Sequence, residues 1–351
     1  MTKPEFAAYE AVAKLHHAYF LGLQLMVASN EGPEVVGEWM FRLFRRQHEE
    51  KFLSSFGKLG LTDLPHAVAC AKYHVLSNGV GGVPVEYMYE SDRKAWVRFR
   101  YPRWMFAGPT VCGMPRSASL GFLSGWYAHN GVSLGNPRLG FVCVSEDMTG
   151  EFGLCGYFYE YDDELTPEQR LRFAKDEKPP RFDASEQPIP PIAEWNSERL
   201  AKANRNYAVE YVRNGVSQLM NLLARDQVAE LTQRSARLIG LQYAQELADD
   251  LEVSIASETD LSELMQILFL AMGDSVEPVV TTTQVGTEPV SFDHQNLGIT
   301  KGMEGAERDV LLRAWSELFA GFGMAQQNLM TVRADIVDTG LRWEISSLYS
   351  S

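Results

Sequence analysis

"CGMPRSASLGFLSGW", residues 112–126, and "KGMEGAERDVLLRAW", residues 301–315, read as one sentence written twice. Gly-Met opens both, Leu follows ten residues after that Gly, and Trp thirteen after it. The match extends outward. Tyr19 lies seventeen residues before Val36 and Tyr211 seventeen before Val228, with Glu38 and Glu230 two residues further on. From Glu38 to Gly113 is 75 residues and from Glu230 to Gly302 is 72. Trp126 to Cys155 is 29, and Trp315 to Trp343 is 28. The same order at nearly the same spacing predicts a duplicated domain.

Each half reads alike. Helical stretches come first: Trp39, Met40, Leu43 and Phe44 in one half, and Leu231, Leu238, Ile239, Tyr243, Leu247 and Leu251 in the other, recur at three- and four-residue steps. "VPVEYMY" then alternates apolar side chains and turns through "ESDRK" into "AWVRFRY", a hairpin pattern. The helix of the opening quotation follows. A second hairpin closes each half: "LGFVCVSED" with "GLCGYFYEY", and "LMTVRADIV" with "LRWEISS". The expected class is α+β, each copy packing helices on one face of an antiparallel sheet. Expected boundaries are 1–161 for the first repeat and 198–351 for the second. Between them, residues 162–197 carry Pro179-Pro180 and Pro188-Ile-Pro-Pro, and read as a Pro-rich linker with a short helix near "TPEQRLRFA". Two related domains in one chain suggest a pseudo-dimer, and a homodimer is allowed.

Composition bounds the function. With 45% hydrophobic and 22% charged residues, the 351-residue chain belongs with soluble globular proteins. A formal charge of −14 argues against a nucleic-acid partner, which needs clustered Lys and Arg. Lys3, Glu5, Glu10 and Lys14 interrupt the first 26 residues, so no signal peptide is expected there, and no apolar run is long enough for a membrane span. Four scattered cysteines do not make a disulfide framework, and the cytoplasm is the expected compartment.

The order of helices, hairpin, helix and final hairpin, with "SGWYAHNGVSLGNPRLGFVCVSEDMTGEFGLCGYFYE" at its end, resembles the 4-vinyl-reductase-type domain. The resemblance implies small-molecule binding. The plan is also similar to the L-2-amino-thiazoline-4-carboxylate hydrolase family, whose Cys-Pro-like element would correspond to "VCGMP". Two departures stand out: Asp147 occurs where a second Cys of a metal cluster would be sought, and Cys112 is followed by Gly113, not Pro. No metal and no cofactor is therefore expected.

Cys112 is the candidate nucleophile. It sits between a predicted strand and helix, where unpaired N–H groups would favour a thiolate, with Arg98, Arg100, Arg103 and Arg116 near in sequence. The plainer alternative is a small loop residue. Among the bases, His74 stands four residues after Cys70 on one helix face. His129 follows the helix that Cys112 precedes, about 20 Å away for some thirteen residues. His48, His16 and His17 are further candidates, and His294 is the only histidine of the second half. Arg98 and Arg100 share one strand face and could grip a carboxylate, or else pair with Glu86 or Glu90 across the hairpin. Arg103, Tyr87 and Trp104 complete the expected substrate contacts.

Two functions follow. One is a cytosolic hydrolase or lyase that acts through Cys112 on a C–N or C–S bond of a small carboxylated or aromatic substrate. The other is a non-catalytic binding protein for an aromatic or apolar ligand.

Overall fold

The computed structural model describes residues 3–101, 103–149, 151–190, 196–279, 289–337 and 340–349. It is a mixed α/β chain with two mostly antiparallel sheets. The chain divides into two compact units: Val27–Leu200, and Met1–Met26 together with Ala201–Ser351. These bounds differ from the expected 1–161, 162–197 and 198–351 at both joints, and side chains explain each difference.

At the first joint the cause is helix α1 (Lys3–Glu31). Its residues up to Met26 pack into the C-terminal unit. The Tyr19 hydroxyl donates to the Thr232 carbonyl at 3.0 Å, His16 lies 5.1 Å from the Trp315 ring and Phe20 5.4 Å from the Tyr211 ring. At the second joint, residues 162–190 of the Pro-rich stretch carry local structure. Thr166 caps a 3-10 turn, Pro167–Arg170, and Leu171–Phe173 is a strand, not the end of a helix. Further on, the Gln187 carboxamide bonds both the N–H and the C=O of Tyr87, at 2.9 and 2.8 Å. It thereby covers an edge strand that would otherwise offer bare backbone groups.

In the Val27–Leu200 unit, Pro33 starts α2 (Pro33–Phe56), which buries Val36, Trp39, Met40, Leu43 and Phe44 as their spacing predicts. Helix α3 (His66–Val80) follows, then strands β1 (Val85–Ser91) and β2 (Lys94–Phe99). Next come α4 (Thr110–Gly113), α5 (Arg116–Gly125) and α6 (Asn130–Ser133). Strands β3 (Leu139–Ser145), β4 (Cys155–Glu160) and β5 (Leu171–Phe173) complete the unit. The sheet order is β1-β2-β4-β3-β5, antiparallel except that β5 runs parallel to β3. Helix α3 packs on β1, β2 and β4. Helices α2 and α5 touch through glycine: a Cβ on Gly121 would stand 2.2 Å from the Gly37 carbonyl oxygen. "YFYEY" is packing, since Tyr157 and Phe158 are buried.

The other unit adds α7 (Ser197–Met220), α8 (Arg225–Asp250) and α9 (Glu258–Met272). Strands β6 (Ser275–Pro278) and β7 (Val290–Gln295) precede α10 (Gly305–Met324), and β8 (Met330–Val337) with β9 (Gly340–Ser347) ends it. The strand order is β6-β7-β9-β8. Helix α8 buries Leu231 and Leu247 as expected but turns part of its expected face outward. Leu238 is exposed, whereas Thr232, Ser235, Ala236, Gly240 and Ala244 are buried. Close approach to α10 selects small side chains at that contact, and size outranks hydrophobicity there. Among the described residues no helix is long and apolar enough to cross a membrane.

Candidate functional site

Arg98, Arg100, Arg103 and Tyr87, four of the expected substrate contacts, are each engaged within the Val27–Leu200 unit. Register pairs Glu86 with Arg98 across the first hairpin, so Glu86 takes Arg98 Nε and Arg100 Nη1, each at 2.6 Å. Arg103 is buried, and its Nη1 bonds both oxygens of the equally buried Asp147 at 2.8 Å. The Tyr101 hydroxyl donates to the same carboxylate. Arg116 binds the fully buried Glu146 through Nε and Nη2. The positive potential expected beside Cys112 is therefore met, arginine by arginine, by an internal carboxylate. Tyr87 is buried, its ring under the Lys72 ammonium at 5.4 Å, and burial raises its phenol pKa. Trp104 opens the 3-10 turn Trp104–Phe106; its side chain lies outside the described residues.

Cys112 is the third residue of the four-residue α4 and is exposed. The next helix starts at Arg116, so Cys112 does not occupy a long helix's N-terminus. Cys70, Cys143 and Cys155 are buried, and burial raises all three thiol pKa values, that of Cys155 to about 12. His74 is a core residue. Its ring stacks on Tyr127 at 4.0 Å and on Phe158 at 5.4 Å, and Nε2 meets the Asn130 carboxamide at 3.0 Å. Burial holds its pKa well below the usual imidazole value. A ring so enclosed packs as core, and its one polar contact among the described residues is with Asn130, not with Cys112.

The second half's histidine is also structural. His294 and Asp274 meet at 2.7 Å, both buried, with Asp274 Oδ1 accepting the Gly298 N–H at 2.8 Å. Phe269 covers the imidazole face at 3.9 Å, and the Trp343 indole N–H donates to its other nitrogen at 3.4 Å. Both ring nitrogens are thus occupied.

A different set of residues lines an open cleft of about 670 Å³ in the Val27–Leu200 unit. Pro65 ends the loop before α3, which puts His66 at that helix's first position. The turn after α6 presents Asn136, and β3–β4 pairing sets Leu139 opposite Glu160. Arg138, one residue before Leu139, thereby reaches Glu160 Oε1 through Nη2 at 2.7 Å. Asn136 Nδ2 lies 3.0 Å from Glu160 Oε2 and 3.0 Å from His66 Nδ1, while Asn136 Oδ1 accepts the Arg138 N–H at 3.2 Å. That pattern sets the carboxamide's orientation: its two N–H groups donate to the carboxylate and to the imidazole. The His66 proton then belongs on Nε2. Asp63 and Glu164 line the same cleft, and the Arg138–Glu160 pair is internally compensated, so the remaining field is acidic.

Sequence reading did not find this cleft. Asn136-Pro137 is a legible turn signal, and Pro65-His66 a legible helix start. Their meeting with Glu160 depends on hairpin register. Among the described residues no three His, Cys, Asp or Glu side chains are grouped to hold a metal ion. Compared with family models, curated proteins and solved structures, the chain matches none.

Proposed function

We propose that this chain binds a small polar molecule carrying an ammonium group, in the cleft lined by His66, Asn136, Arg138 and Glu160. One observation carries the reading: a buried carboxamide ties an imidazole and a carboxylate together at the wall of an open cavity large enough for a small ligand. Few but oriented polar groups in a concave site are the usual mark of small-molecule recognition. Asp63 and Glu164 favour a cationic ligand group. The resemblance to 4-vinyl-reductase-type domains, which bind small molecules, points the same way. The reading also carries a duplicated domain, supported by the strand orders β1-β2-β4-β3 and β6-β7-β9-β8. It takes the cytoplasm as compartment, with a homodimer allowed and neither nucleic acid nor membrane as partner.

The test is a titration of the full chain with a panel of small primary amines, read on the Asn136 side-chain amide and the His66 ring by NMR. Saturable shifts at both residues, weakened at least about tenfold in Glu160→Gln, are expected. Unmoved Asn136 and His66 signals across the panel would refute the assignment.

A thiol-dependent hydrolase or lyase is the second reading, and one observation favours it: of four cysteines, Cys112 alone is exposed. Alkylation of the intact protein, read site by site against pH, decides this. The nucleophile role requires Cys112 to react well below the unperturbed thiol pKa of about 8.5. A rate that simply follows that ordinary value removes the role and leaves the binding reading untouched.

A further inference from the structure

We infer that Arg45, Arg170 and His129 form a binding site for a small oxyanion, of carboxylate or phosphate chemistry, in the Val27–Leu200 unit. This goes beyond the cleft reading and stands or falls separately.

Three buried side-chain nitrogens here have no partner. Arg170 Nε, Trp126 Nε1 and His48 Nδ1 are each inaccessible to solvent and make no hydrogen bond. They are neighbours. The His48 ring lies 5.5 Å from Trp126 and 5.2 Å from His129, and the turn Tyr127–His129 packs against Pro167–Arg170. Arg45 closes the group from α2. Its Nε and Nη2 hold the carbonyls of Gly125 and Ser124, the two residues before Trp126, at 2.9 and 3.1 Å. Ser133 Oγ lies 2.9 Å from His48 Nε2, and the Nδ1 of that ring has no hydrogen-bond partner.

Charge makes the same point. Two guanidinium groups and two imidazoles converge here in a chain of net charge −14. Yet neither Arg45 nor Arg170 forms an ion pair among the described residues, unlike Arg98, Arg100, Arg103 and Arg116. The carboxylate acting on Arg45 is the exposed Glu49. Burial first, then Arg45 and Arg170, lowers the His129 pKa to about 4; burial, then His129 and Arg45, lowers that of His48 to about 3. Buried donors and mutually repelling cations are costly unless something satisfies them. A water offers two acceptor sites and no charge. An oxyanion offers several acceptors and opposes the repulsion, and guanidinium groups suit both carboxylate and phosphate.

The experiment follows the His129 ring by NMR in the full chain, titrated in pH with and without inorganic phosphate, and separately with acetate. Without anion, burial and the two guanidinium groups hold the His129 pKa down to about 4, so little imidazolium is expected above about pH 5. Saturating phosphate or acetate is expected to raise its pKa by about 1 unit or more, because the anion favours the imidazolium. The tighter of the two probes identifies the oxyanion class. Arg170→Gln should weaken binding at least about tenfold, whereas Glu160→Gln in the cleft should leave it unchanged. Should Arg170→Gln fail to fold, Arg170→Lys keeps the charge but loses the Nε donor, and it must also bind more weakly. A His129 titration indifferent to both probes overturns the site, as does an anion effect that survives the Arg170 substitutions.

Discussion

Substituting Gly240 by Ala tests the helix contact on which the C-terminal unit is built. Gly240 is buried at the crossing of α8 and α10, where an added Cβ would stand 1.9 Å from the Leu318 carbonyl oxygen. Such contacts essentially never fall below 3.0 Å, so the methyl is more than 1 Å too close, and to backbone that cannot swing aside. On the opposing helix, a Cβ at Gly321 would lie 2.3 Å from the Arg237 carbonyl, so the crossing is tight from both sides. The helices must separate, loosening the layer that buries Ala236, Ala244, Leu318 and Phe322. Against this, Ala improves helix propensity by about 1 kcal/mol. Overpacking typically costs about 1–3 kcal/mol, and a clash with backbone belongs at or above the top of that range. The expected balance is a loss of about 2 kcal/mol. For a unit of this size that corresponds to a fall in Tm of roughly 4–8 °C. Calorimetric scans of the full chain would read it. Gly57→Ala serves as the control: its φ is −62° and its Cβ meets nothing within 4 Å, so it should be neutral or slightly stabilising. A Gly240→Ala protein as stable as the parent would refute the reasoning.

Two further outcomes follow from buried ionisable groups. Burial lowers the pKa of His16 to about 4 and of His17 and His48 to about 3, so the unfolded chain binds protons first as pH falls. Their contribution to stability is complete above about pH 6.5 and is lost progressively toward pH 3–4. Urea midpoints should accordingly drop between pH 6.5 and 5, before most carboxylates protonate; a flat profile there would contradict the buried neutral rings. Asp147→Asn strands the Arg103 guanidinium in a site where both side chains are 1% exposed. Breaking such a pair costs about 3–5 kcal/mol. Urea unfolding followed by circular dichroism should show that loss, and a change below about 1 kcal/mol would mean the charge escapes to solvent.

Much of the fold was legible along the chain. The β1–β2 hairpin, the closing hairpin of each half, the buried face of α2 and the helix that carries Trp315 all come from local periodicity, which sequence carries directly. Arg98 lies on β2 and Arg100 just beyond its end, and their pairing with Glu86 is one of the two outcomes the hairpin allows. The site was less legible. Asn136, His66 and Glu160 lie 70 and 24 residues apart, and their contact depends on the register of β3 with β4 and the packing of α3.

By itself, then, the amino-acid sequence determined most of the long helices and the main hairpins, their order and the apolar stripes of most helices, because these depend on neighbours within a turn or a hairpin. Only the tertiary structure decided the rest. It put α1 with the C-terminal unit, turned α8 on its small residues, closed His74 into the core and gave each arginine near Cys112 an internal carboxylate. The physical reason is shared: a charge or a small side chain acquires its role from what approaches it across space, and that partner is written far away in the chain.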